Sequence, residues 1–232
     1  MLGGGPVSRW PGVEHTCESW GCCDPGQESG RPFSVSGSPA FAGKAQQLRP
    51  VHASELAMPA NVEIKARVRD LAQLLRNAER ASGSPGCVIA QTDTFFSVPC
   101  GRLKLRDFRD GRGQLIFYDR PNLEGPKLSQ YAISPTDDPA GLVAVLSQAL
   151  GVRGVVQKQR RLYMVGQTRI HVDHVEGLGD FMELEVVLQE QQSPQDGEQV
   201  ARQLMEDLGV REEDLLTGAY LDFLLARAEA RP

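Results

Sequence analysis

The sequence predicts an α+β domain of about eight mostly antiparallel strands with helices laid on one face, and three observations predict it. First, five stretches place charged residues two apart: Glu63-x-Lys65-x-Arg67, Arg102-x-Lys104-x-Arg106, Lys158-x-Arg160, Arg169-x-His171-x-Asp173 and Glu183-x-Glu185. A spacing of two puts these residues on one face of a strand. Second, the residues between them are mostly apolar (Val62, Ile64, Ala66, Val68; Leu103, Leu105; Ile170, Val172; Leu184, Val186), so the opposite face is the one that can bury a core. Third, these stretches are separated by Gly- and Pro-bearing turns and by segments with apolar residues at helical spacing.

Each element follows in order. A strand over Val62 to Val68 leads into a helix over Asp70 to Ala81, where Leu71, Leu74, Leu75 and Ala78 share a face. Asp70 is placed to cap this helix, and Gly83-Ser84-Pro85-Gly86 to stop it. Strands over Val88 to Phe96, Arg102 to Phe108, Gln114 to Arg120 and Lys127 to Ser134 then read as a meander, with turns at Pro99 and Gly101, Gly111 and Gly113, and Pro121 to Pro126. Asp138 to Leu150 is helical, with Leu142, Val143, Leu146 and Leu150 on one face and Gly151 as its stop. Strands over Val155 to Val165, Thr168 to Val175 and Phe181 to Leu188 follow, joined by Gly166-Gln167 and Gly177-Leu178-Gly179. Helices over Pro194 to Leu208 and Tyr220 to Ala230 close the chain.

The charged face needs its own explanation. A half-solvated antiparallel sheet also alternates apolar and polar residues. Solvated faces usually mix residue types, however, whereas Arg102, Lys104 and Arg106 are all cationic and Glu183 and Glu185 both anionic. Like charges side by side are not what stability alone selects. A sheet of this size either stays open in water or curls so that the ionic face lines a lumen, and about eight strands enclose just enough room for side chains and one small ligand. In the curled form Leu71, Leu74, Leu142, Leu146, Val200 and Leu204 would cover the apolar outside. Cationic strands facing carboxylate strands suit a phosphate chain with a divalent cation.

Composition narrows the classes. Residues 1–57 are rich in Gly, Pro and Ser, lack hydrophobic periodicity and read as a disordered extension; residues 58–232 read as one domain. Glu14, Glu18, Asp24 and Glu28 argue against a mitochondrial transit peptide, no apolar run suits a secretory signal, and Met58 is an alternative start. No stretch approaches a transmembrane span. The 232 residues carry a formal charge of −5, so the strand cations are a local concentration and nucleic acid is not the expected partner. The five cysteines fit neither a zinc site nor a secreted disulfide framework, and a cytoplasmic protein with reduced thiols is expected. Composition leaves the oligomeric state open.

Taken together, Asn61-Val62-Glu63-Ile64-Lys65-Ala66-Arg67, Gly101-Arg102-Leu103-Lys104-Leu105-Arg106, Lys158-x-Arg160, Thr168-Arg169-Ile170-His171-Val172-Asp173 and Glu183-Leu184-Glu185 resemble the CYTH domain superfamily, also called triphosphate tunnel metalloenzymes. The ordered motifs span residues 60–225. They are most similar to the branch containing class IV adenylyl cyclases and more distantly similar to thiamine and inorganic triphosphatases. The resemblance implies a closed eight-stranded antiparallel β-barrel, a tunnel with helices outside, that binds a small-molecule triphosphate with Mg²⁺ or Mn²⁺.

The same resemblance assigns roles. Glu63 and Lys65 match the end of the opening Glu-x-Glu-x-Lys signature and would be catalytic. Lys65, Arg102, Lys104, Arg106, Arg120, Lys158, Arg160 and Arg169 would grip phosphates, Arg120 standing near a position where many members carry lysine. Glu63, Asp173, Glu183 and Glu185 would hold metal. Asn61 replaces the first glutamate of the signature; it offers an oxygen but neither charge nor a proton-accepting carboxylate. The leading expectation is a metal-dependent phosphohydrolase acting on a small organic or inorganic triphosphate. The alternatives are a class IV-type adenylyl cyclase releasing cyclic AMP and pyrophosphate, and a non-catalytic binder of triphosphate or polyphosphate. His171 could donate to a phosphate or pair with a carboxylate, Tyr118 and Tyr131 could stack on a ring or pack, and Tyr220 could close one tunnel end or pack.

Overall fold

The computed structural model describes residues 58–123 and 125–230. The stretch 1–57, expected to be disordered, and the question of a start at Met58 lie outside the described residues. Eight strands form: β1 (Ala60–Arg67), β2 (Cys87–Phe96), β3 (Arg102–Asp107), β4 (Gly113–Asp119), β5 (Lys127–Thr136), β6 (Val152–Val165), β7 (Thr168–Val175) and β8 (Gly179–Val187). Four helices accompany them: α1 (Leu71–Ser82), α2 (Pro139–Leu150), α3 (Pro194–Leu208) and α4 (Tyr220–Glu229). The sheet closes into a barrel in the order β1-β5-β4-β3-β2-β6-β7-β8, with every neighbouring pair antiparallel.

Of the two arrangements open to an ionic sheet, the chain adopts the curled one. The meander β2 to β5 and the hairpins β6-β7-β8 form as the turn residues predict. Closure depends on three long-range pairings: β1 with β5, β1 with β8, and β2 with β6. Strand β6 begins at Val152, three residues before its expected start, because Phe96 pairs with Val152 across an irregularity in register.

The apolar sides of β1, β7 and β8 point outward and are buried, whereas the outward Val88 of β2, Leu128 of β5 and Val155 of β6 are exposed. Val62, Ile64, Ala66, Ile170, Val172, Met182, Leu184 and Val186 are all essentially inaccessible. Helix α1 starts where Asp70 Oδ1 accepts from the Gln73 amide at 2.9 Å and ends at Gly83 in the left-handed region, φ 65°. Helix α3 carries a reciprocal cap between Ser193 and Asp196 and packs Val200 and Ala201 on Val62 and Val186. Gly197 permits that approach, since a Cβ there would stand 2.7 Å from side-chain atoms of both Val62 and Leu188. Helix α2 covers less than its pattern suggests: Leu142, Val143 and Leu146 are half-buried, while Leu150 and Val145 are exposed.

Among the described residues no helix is long and apolar enough to cross a membrane. Cys100 is a free, exposed thiol.

Candidate active site: the barrel lumen

Directly paired residues of neighbouring strands share a face, so the register identifies what lines the lumen. From β1 come Asn61, Glu63 and Lys65; from β8 their partners Val187, Glu185 and Glu183; from β7 Arg169, His171 and Asp173, opposite Glu185, Glu183 and Phe181. From β6 come Lys158 and Arg160, and from β3 Arg102, Lys104 and Arg106. Sequence reasoning therefore named the residues of one continuous surface. The nine cationic side chains Lys65, Arg102, Lys104, Arg106, Arg120, Lys127, Lys158, Arg160 and Arg169 are buried or half-buried around the five carboxylates Glu63, Asp93, Asp173, Glu183 and Glu185. The formal excess is positive, as a polyanion site requires.

Two carboxylates act as hubs. Asp93 on β2 accepts from Arg106 Nε at 2.9 Å and Nη2 at 3.1 Å, from Lys104 Nζ at 3.0 Å and from Lys158 Nζ at 3.4 Å. Burial alone would raise its carboxyl, but Arg106, Lys104 and Lys158 outweigh that and hold it well below the usual carboxylate range. Asp173 accepts two bonds from Arg160, at 2.7 and 2.6 Å, and a third from the Tyr220 hydroxyl at 3.0 Å. Burial opposes its ionisation too, yet Arg160 and Lys158 keep it charged. Asp173 thus anchors Arg160.

Glu183 is clamped between Lys65 Nζ and Arg160 Nη2, the latter at 2.7 Å. Glu185 accepts from Arg169 Nε at 2.8 Å. Glu63 is ion-paired with Arg120 Nε at 2.7 Å, and Arg120 also donates to the Gly218 carbonyl at 3.0 Å. Arg102 donates to Asn122 at 3.0 Å and reaches Asp222 of α4 at 3.4 Å, so it belongs to the end of the barrel nearest that helix.

That end is stoppered. The lumen residues Phe95, Val156, Val175 and Phe181 form one cluster with Tyr220 and Leu221 of α4. Lys65 Nζ stands 3.5 Å from the Tyr220 ring centroid, a cation held over an aromatic face. Exposure rises along the barrel away from the stopper: the Asp173 side chain is 0% accessible, His171 5%, Glu183 18%, Glu185 21% and Arg169 30%. Solvent therefore reaches the carboxylate pair from the Arg169 side.

His171, Glu183 and Glu185 form a group able to hold a metal ion, with one ligand atom from each lying within 4.8 Å of the others. His171 Nδ1 sits 3.7 Å from both Glu183 Oε2 and Glu185 Oε1, and it is a buried polar atom without a hydrogen-bond partner. Burial, reinforced by Arg160, pushes its imidazole well below the usual range, so the ring is neutral at pH 7. Asn61 is buried as well, and its Oδ1 has no hydrogen-bond partner.

Asp93, Lys127 and Gln91 were missed from the sequence. Lys127 pairs in register with Glu63 and donates to the Leu123 and Leu216 carbonyls at 3.1 and 3.3 Å. Its position as the first residue of a strand hid it. Asp93 carried a usable signal, because Gln91-x-Asp93-x-Phe95 alternates with Thr92 and Thr94. That alternation was not read, because threonine offers little apolar contrast. Tyr118 contributes its ring to Arg102 and Lys104, at 5.8 and 5.5 Å.

Comparison with known proteins agrees with this architecture. The chain is 29% identical over 139 residues to adenylate cyclase CyaB of Aeromonas hydrophila, covering 56% of this chain and 70% of that protein. Among solved structures it resembles PH1012 of Pyrococcus horikoshii OT3, with TM-score 0.61 and 23% identity over 70% of this chain and 98% of that one. It also resembles a conserved hypothetical protein of Pyrococcus furiosus, with TM-score 0.60 and 24% identity over the same shares. The model of the CYTH domain matches residues 59–220, and the chain belongs to the CYTH domain family.

Proposed function

We propose that the protein is a metal-dependent phosphohydrolase that cleaves a small triphosphate bound in the barrel lumen. The observation that carries this reading is the sorting of charge within one enclosed surface: cations on β3 and β6, and carboxylates with an unpartnered imidazole nitrogen on β7 and β8. A triphosphate bears about four negative charges, and burying it needs comparable opposing charge at close range. Arg102, Lys104, Arg106, Lys158, Arg160 and Arg169 would hold its oxygens, with Lys65 between Glu183 and the chain.

Glu183 and Glu185 fit a divalent cation such as Mg²⁺ or Mn²⁺, because both are oxygen donors that share a gap with a buried, unsatisfied nitrogen. When bound, such an ion supplies charge stabilisation to phosphate oxygens. Water attacking the terminal phosphorus breaks its bond to the bridging oxygen and releases orthophosphate and a diphosphate. Glu63 is the candidate acceptor of the water proton, and its ion pair with Arg120 orients it. The cations confine the chain in line for attack.

A second reading is an adenylyl cyclase, favoured by the relative named adenylate cyclase CyaB. There a ribose 3′-hydroxyl attacks the α-phosphorus and pyrophosphate leaves. A third is a binder without turnover, favoured by Asn61 where the family signature has a glutamate. Phosphorus NMR of the full chain with Mg²⁺ or Mn²⁺ and tripolyphosphate, thiamine triphosphate or ATP separates them. Orthophosphate supports the hydrolase, pyrophosphate with cyclic AMP replaces it with the cyclase, and unchanged spectra with strong thermal stabilisation leave only the binder.

A further inference from the structure

The geometry points to His171 as a nitrogen ligand completing a site with Glu183 and Glu185, so that the barrel selects a transition ion, with Mn²⁺ preferred over Mg²⁺. The inference rests on the metal-bearing reading of the lumen and adds which ion that lumen prefers and which residue decides it.

Three observations carry it. The His171 side chain is 5% accessible, and its Nδ1 has no hydrogen-bond partner. At 3.7 Å, neither neighbouring carboxylate oxygen is close enough to accept a hydrogen bond from it. The β6 residue paired directly with His171 is Leu162, which offers it no polar partner. A buried polar atom left in this state is unfavourable unless something binds it. The two carboxylates face the same gap and are held from outside it, Glu183 by Lys65 and Arg160 and Glu185 by Arg169. Donors on one ion, each at about 2.1 Å, stand up to about 4.2 Å apart, so rotations of under about 1 Å bring these three atoms onto a common centre.

The donor set then discriminates. Mg²⁺ is a hard ion that favours oxygen and keeps its waters, whereas imidazole nitrogen suits later divalent ions. An oxygen-only site would lack this bias. Replacing one oxygen donor by an imidazole therefore favours Mn²⁺, and more strongly Co²⁺ or Zn²⁺, over Mg²⁺.

The test uses Mn²⁺ as its own spectroscopic probe. Pulsed electron paramagnetic resonance of the full chain with Mn²⁺, with and without tripolyphosphate, should show ¹⁴N modulation that converts to ¹⁵N on histidine labelling. His171→Gln should abolish the modulation while Mn²⁺ stays bound, and should narrow the Mn²⁺ to Mg²⁺ affinity ratio about tenfold, or about 1.4 kcal/mol. Bound Mn²⁺ without nitrogen modulation, or modulation that survives His171→Gln, overturns the assignment and leaves a carboxylate metal site standing. Absence of Mn²⁺ binding under either condition overturns it together with the metal-dependent reading.

Discussion

The Tyr220 hydroxyl donates a 3.0 Å hydrogen bond to Asp173, tying the first residue of α4 to the deepest carboxylate of the lumen. Both residues are buried, and Asp173 also carries Arg160 on two further bonds. The contact therefore couples the stopper of the barrel to its cationic wall. Tyr220→Phe keeps the ring under Lys65 and deletes only the donor. Because the acceptor is charged, the expected loss is roughly 1.5–3 kcal/mol of unfolding free energy. Urea titration should show a lower midpoint with an unchanged slope; an unaltered midpoint would mean that water replaces the hydroxyl.

Asp93 offers a sharper separation of stability from binding. Three cations converge on it, and burial denies them solvent. Asp93→Asn leaves them facing one another, and by analogy with broken buried ion pairs the ligand-free protein should lose about 3–5 kcal/mol. A bound polyanion would restore the missing charge. The thermal shift produced by tripolyphosphate should accordingly be larger in Asp93→Asn than in the parent protein. Equal shifts would show that phosphate does not approach this wall.

Much of this architecture was legible because an ionic lumen and an apolar exterior write the same two-residue alternation into every strand. Lys65, Arg160 and Glu183 were found that way, and they meet in the folded chain. The pairing of β2 with β6 was not legible, since contacts between strands about sixty residues apart leave no local mark. The juxtaposition of His171 with Glu183 was within reach. A hairpin centred on Gly177 places His171 opposite Glu183 and Arg169 opposite Glu185, as observed, but the turn was read without extending its register along the strands. Lys65 and Asp173, which meet the ring and the hydroxyl of Tyr220, lie on β1 and β7, and only tertiary packing brings them there.

Removal of single lumen groups should separate chemistry from folding. Lys65 and Glu185 sit on adjacent strands, one clamping Glu183 and the other facing the metal gap. If the barrel catalyses phosphoryl transfer, Lys65→Ala and Glu185→Gln should each lower turnover by about 100-fold or more, the usual scale for deleting one charge-stabilising group. Product formation by phosphorus NMR, with circular dichroism to verify folding, is the measurement. Near-parental rates in both variants would remove these residues from the site.

The lumen lysines make both stability and binding depend on pH, with opposite signs. Burial, aided by Arg160, lowers the Lys158 amine to about 7, and burial lowers Lys104 to about 8. In the unfolded chain both amines titrate near 10.5, so between about 7 and 10.5 the unfolded state binds more protons. The cost of these lysines is fully present below about pH 7, and ligand-free stability should rise as pH increases through that window. Lys158→Met should flatten the rise in urea titrations from pH 6.5 to 9.5. A triphosphate does the reverse, because its negative charge favours the protonated amines. Binding at pH 8.5 should therefore take up protons, visible as a calorimetric enthalpy that depends on buffer ionisation, and affinity should fall as pH rises. Binding without proton uptake would mean that the phosphates seat away from Lys104 and Lys158.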